Sequence, residues 1–116
     1  MIRVGPAGWS YKDWEGIVYP KPKPRGFQEL TYIATLFDTL EINTSYYGPP
    51  RTTTITTWID QAQANSQFMF TAKLYKGFTH DRNATSQEET DMKGALDTLR
   101  RGRTPRRTPP AVPVEL

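Results

Sequence analysis

Two hydrophobic periods take turns along this chain, and that alternation limits the available folds more than any single motif does. Phe27 to Phe37 puts Phe27, Leu30, Ile33 or Ala34, and Phe37 on one face at helical spacing. Thr39 to Asn43 switches to a period of two, with Leu40 and Ile42 on one side and Glu41 and Asn43 on the other. Pro49-Pro50 breaks the chain, and helical spacing returns over Thr52 to Gln63 through Ile55, Trp58, Ile59 and Ala62. The run Gln67 to Lys73 alternates again, Phe68, Phe70 and Ala72 against Met69, Thr71 and Lys73. A last helix is expected from about Glu88 to Arg100, after the segment Ser86-Gln87-Glu88-Glu89.

Ile2 to Ala7 reads as an opening strand closed by Gly8. Trp9 to Gly26 reads as a long loop that Pro20, Pro22 and Pro24 hold extended. The order is then β-loop-α-β-loop-α-β-loop-α. Such alternation implies an α/β fold with parallel strands and right-handed crossovers. Three such units make an open sheet or a piece of a barrel, and periodicity does not separate the two.

Charge is uneven. Residues 1–99 are close to neutral, whereas residues 100–116 hold Arg100, Arg101, Arg103, Arg106 and Arg107 against Glu115 alone. The basic balance is thus a property of the tail, and no general nucleic-acid surface follows from it. The absence of cysteine excludes disulfides and thiolate metal sites. No apolar run nears the roughly 18 residues of a membrane helix. With no signal-peptide pattern at the start, the expected location is the cytoplasm, away from membranes.

Gly5-Pro6-Ala7-Gly8-Trp9-Ser10-Tyr11-Lys12-Asp13-Trp14, followed by Val18-Tyr19-Pro20, resembles the opening of the YecE-like family, domain of unknown function 72. Phe37-Asp38-Thr39-Leu40-Glu41-Ile42-Asn43-Thr44-Ser45-Tyr46-Tyr47 is similar to that family's second strand and following loop. Trp58, Phe68-Met69-Phe70-Thr71-Ala72-Lys73 and Thr79-His80 resemble its second helix, its third strand and the loop after it. The resemblance implies a TIM barrel longer than this chain, with residues 1–99 as its first three β/α units, but no settled activity.

From about residue 100 the resemblance stops, and Arg101-Gly102-Arg103-Thr104-Pro105-Arg106-Arg107-Thr108-Pro109-Pro110 continues neither helix nor strand. Residues 100–116 are read either as a disordered basic tail or as a frameshifted end of a truncated barrel. With suitable codons, Arg103 to Pro113 read one base later give an apolar run ending in Gln-Phe-Pro, which resembles the family's fourth strand. A fragment of this kind is expected to self-associate through open sheet edges.

In a TIM barrel, functional groups collect where strands end and loops begin. Glu41, Asn43 and Lys73 meet that condition and would face the barrel interior if Leu40 and Ile42 face the helices. Glu41 is a candidate general base or ligand-binding carboxylate, or else the partner of Lys73 in a buried ion pair. Lys73 would bind a phosphate or carboxylate, form a Schiff base, or serve only as that partner. Asn43 would hydrogen-bond a ligand or cap a turn. Trp9, Tyr11, Trp14, Tyr46 and Tyr47 either wall a pocket for a sugar or nucleobase or pack the barrel mouth.

His80, the sole histidine, is an acid/base candidate or a plain loop residue, and no metal site is expected. Gly5-Pro6-Ala7-Gly8 is neither a P-loop nor a dinucleotide fingerprint, and the sequence leaves the cofactor unknown. The chain is expected to be an uncharacterised fragment whose intact parent binds a small polar or phosphorylated ligand at the C-terminal barrel face, with catalysis by Glu41 and Lys73 left open. The alternatives are a non-catalytic binding or scaffold protein, or a weak nucleic-acid binder acting through the arginine tail.

Overall fold

A computed structural model describes residues 2–102. Its elements are α1 (Glu29–Leu36), β1 (Thr39–Ile42), α2 (Thr52–Ala62), β2 (Met69–Ala72) and α3 (Ser86–Gly102), with short 3₁₀ turns at Lys12–Trp14, Thr44–Tyr46 and Lys76–Phe78. β1 and β2 pair in parallel, Thr39 opposite Met69 and Ile42 opposite Ala72. The chain is an α/β structure with a two-stranded parallel sheet and three helices.

The helices share one face of the sheet. Leu40 and Ile42 of β1, with Phe68, Phe70 and Ala72 at β2, are buried against Leu30 and Ala34 of α1, Ile55 and Ala62 of α2, and Ala95 and Leu99 of α3. This is the side that the period-two pattern marked. Trp58 and Ile59 cover the cluster from α2. The other face of the sheet carries Thr39, Glu41 and Thr71, all only partly buried.

The opening segment differs from expectation. Ile2 to Ala7 is not a strand; it meets β1 through a single parallel bridge, Ala7 to Glu41. Two hydrogen bonds frame that bridge, Glu41 N–H to Pro6 O at 3.0 Å and Gly8 N–H to Glu41 O at 2.9 Å. The next rung toward the N-terminus would run from the N–H of residue 6 to Thr39 O. Proline has no such donor, so the ladder stops.

The stretch from Trp9 to Gly26 is also more than an extended loop. Tyr19 is buried, and its ring meets Trp14, Phe27 and Tyr32 at 5.7–5.8 Å between centroids. Its hydroxyl donates to the Trp9 carbonyl, fixing the start of the loop to this aromatic cluster. Burial, with a smaller push from the Glu29 charge, holds the Tyr19 phenol well above its usual pKa.

Helix α3 begins two residues before the expected start and runs through Gly102. Arg100 and Arg101 are therefore helical, and the remainder of the expected basic tail, 103–116, lies outside the described residues. No helix among the described residues is long and apolar enough to cross a membrane.

Candidate functional site

The carboxyl ends of β1 and β2 are joined by one side chain. Ser45 is buried, and its Oγ lies 3.0 Å from the carbonyl of Ile42, the last residue of β1, and 2.6 Å from that of Lys73, the first residue after β2. A hydroxyl has one proton to donate, so the two carbonyls share it. The Lys73 N–H also donates to Ile42 O at 3.0 Å. These bonds hold the 3₁₀ turn Thr44–Tyr46 against the end of the sheet, with Asn43 before it and Tyr47 after it.

On one side of that turn lies a cleft of about 290 Å³, lined by Gly8, Trp9, Tyr11, Asn43, Thr44 and Trp58. The two indoles meet edge to face at 5.2 Å. Tyr11 Oη donates to Ala7 O at 2.8 Å and accepts from Asn43 Nδ2 at 3.1 Å. Trp14 stands behind Tyr11, centroids 4.8 Å apart, outside the cleft lining. The cleft thus unites three sequence-predicted residues, Trp9, Tyr11 and Asn43.

On the other side of the turn, Tyr46 gathers a second group. Its ring meets His80 at 5.6 Å and Tyr47 at 5.2 Å, both edge to face. Lys73 Nζ lies 5.4 Å from the centroid of the Tyr46 ring. Lys76 approaches the Tyr47 ring at 5.8 Å and pairs with Asp81 at 3.8 Å. Lys73, by contrast, has no acidic partner within 4.0 Å among the described residues. Neutral ring faces attract a cation without cancelling its charge, so Lys73 keeps its capacity for an anion.

Glu41 is set apart from both groups. It lines a depression of about 300 Å³ on the helix-free face of the sheet, with Arg3, Ala7, Thr39, Met69 and Thr71. Arg3 Nε is buried there without a hydrogen-bond partner among the described residues. The ion pair considered between Glu41 and Lys73 does not form, because Lys73 turns toward Tyr46 instead. Among the described residues, no three His, Asp or Glu side chains converge where a metal ion would sit.

Sequence reasoning assigned Trp58 to the core alone and passed over Ser45 and Tyr19. Trp58 does pack on the core, but its side chain also lines the cleft. Its helical spacing accounts for the first role and is silent on the second. The aromatic Val18-Tyr19-Pro20 was the available sign that the loop has its own packing.

Compared with known proteins, residues 3–105 match the family model described as "Protein of unknown function DUF72". No curated protein and no solved structure matches the chain.

Proposed function

Since the chain belongs to the DUF72 family, we propose that residues 2–99 are the first three β/α units of a TIM barrel whose strand ends bind a small polar or phosphorylated ligand. The observation that carries this is Lys73, a cation without an acidic partner among the described residues, held over Tyr46 at the strand ends. The aromatic cleft beside it offers Asn43 for hydrogen bonding and indole surface for an apolar ring face. Ligands of α/β proteins collect at this end of a parallel sheet.

Binding is better supported than catalysis. Glu41, the candidate general base, opens to the opposite depression. Lys73, already among the aromatic side chains, has the role of an anion anchor rather than a Schiff-base former.

The test is a thermal melt of the full chain with ribose 5-phosphate, with ribose as the uncharged control. Saturating phosphorylated ligand should stabilise the protein, by about 2.7 kcal/mol at a hundredfold excess over Kd. Ribose should do much less, and Lys73→Met should remove most of the difference. Equal stabilisation of wild type and Lys73→Met, or none by the phosphorylated compound, would defeat the proposal.

A further inference from the structure

The hydrogen bonds around Tyr11 narrow the ligand class. Its hydroxyl has one proton, and that proton is committed to Ala7 O at 2.8 Å. The 3.1 Å contact with Asn43 must then run from an Nδ2 hydrogen into the phenol oxygen. That fixes the amide: Oδ1 is turned away from Tyr11, and one N–H remains. Neither has a further partner among the described residues. Asn43 therefore offers one acceptor and one donor, the complement of a base edge that carries a donor beside an acceptor.

The rest of the cleft suits a flat ring better than a sugar. Trp9 and Trp58 supply apolar walls. Of the hydroxyls lining it, Tyr11 donates to Ala7 and Ser10 donates to Glu29 at 3.5 Å, which leaves Thr44 alone to donate to a ligand. A sugar ring carries hydroxyls around its whole rim, and most would lose water against indole without replacement, at a cost. A heteroaromatic ring has two apolar faces and needs polar partners only along its edge. About 290 Å³ falls just below the roughly 300–1,000 Å³ typical of ligand pockets. It admits one ring system and leaves the remainder of the ligand outside.

We infer that the cleft takes the base of a nucleoside phosphate, with its polar edge on Asn43, one face against one of the two perpendicular indoles, and its phosphate toward Lys73. One short 3₁₀ turn, Thr44–Tyr46, separates Asn43 from the Tyr46 ring that holds Lys73. The inference builds on the ligand-binding proposal above and specifies its ligand.

The experiment is an isothermal titration of the full chain with adenosine monophosphate, ribose 5-phosphate and inorganic phosphate, alongside tryptophan fluorescence. Adenosine monophosphate should bind at least tenfold more tightly than ribose 5-phosphate and quench tryptophan emission, because base stacking on an aromatic ring contributes on that scale. Asn43→Ala should weaken it about tenfold and so remove most of its advantage over ribose 5-phosphate. If ribose 5-phosphate and adenosine monophosphate bind equally, the base inference falls while the anionic-ligand proposal stands. If none of the three binds, both fall. The comparison of ligands on the wild-type chain needs no variant to fold, so it decides the matter even if Asn43→Ala is unstable.

Discussion

At Gly8 the backbone takes φ +74°, and a Cβ there would lie 2.3 Å from Tyr11 Oη and 3.1 Å from Asn43 Nδ2. Both the left-handed conformation and the close approach exclude a side chain. Gly8→Ala should therefore cost about 1–3 kcal/mol in backbone strain, read as a lower urea midpoint, and displace Tyr11 from Asn43. A variant with unchanged stability would show that the Tyr11–Asn43 contact is not held by this glycine. Asn43 was legible as a candidate because it follows the alternating run Leu40-Glu41-Ile42. Ser45 was not, since nothing in local spacing says that a hydroxyl will reach the carbonyl of Lys73, 28 residues away. Likewise, the sequence suggested Lys73 as a partner for Glu41, but the aromatic ring of Tyr46 took it instead.

Among the elements, α3 has the most complete start. Thr85 Oγ1 accepts from the Glu88 N–H at 3.1 Å, and Glu88 Oε1 accepts from the Thr85 N–H at 2.9 Å, a reciprocal capping box. Tyr75 donates its hydroxyl to the other Glu88 oxygen, tying the loop after β2 to the helix. The Tyr75 hydrogen bond, followed by that from the Thr85 backbone, holds the Glu88 carboxyl below its ordinary value of 4.5. The same hydrogen bond raises the Tyr75 phenol above its ordinary 10.0.

A depressed carboxyl contributes stability that is fully present above 4.5 and is lost as pH falls through its lower folded value. The raised phenol contributes stability that is complete below 10.0 and disappears as pH rises through its folded value. Urea midpoints measured against pH should fall at both ends, and Glu88→Gln should flatten both limbs. Thr85→Ala should cost about 0.5–2 kcal/mol. Profiles of wild type and Glu88→Gln that run parallel throughout would contradict this account.

The sequence placed this helix by the segment Ser86-Gln87-Glu88-Glu89 and started it near Glu88, because the capping side chain of Thr85 was not part of that reading. The opening segment falls short of a strand for a related reason. Alternation describes where side chains would point, whereas the ladder depends on a backbone donor that Pro6 lacks.

For the molecule as a whole, the helices cover one face of a two-stranded sheet and leave Thr39, Glu41 and Thr71 on the other. Among the described residues β2 pairs with β1 alone, so its outer edge has no strand partner. Ile2 and Val4 are exposed at 90% and 71%. Unpaired edges with apolar neighbours favour pairing between copies. Sedimentation of the full chain should be concentration-dependent, and Thr71→Lys, which adds charge at that edge, should shift it toward monomer. A monomer at every concentration would rule the edge contact out.

The parallel α/β order was legible because helix and strand periods differ. Barrel closure was not, since an open sheet and a barrel segment share the same periods. The aromatic cleft was partly legible in Trp9, Tyr11 and Asn43, and it needed the fold to bring in Trp58.

The proposed ligand site lies at the strand ends and not on the helix-free face of the sheet. Amide and indole NMR shifts during titration with adenosine monophosphate test it most directly. Saturable changes are predicted at Gly8 to Tyr11, Asn43 to Tyr46, the Trp58 indole and Lys73. Changes confined to Arg3, Thr39, Glu41 and Thr71, or no saturable change anywhere, would contradict it.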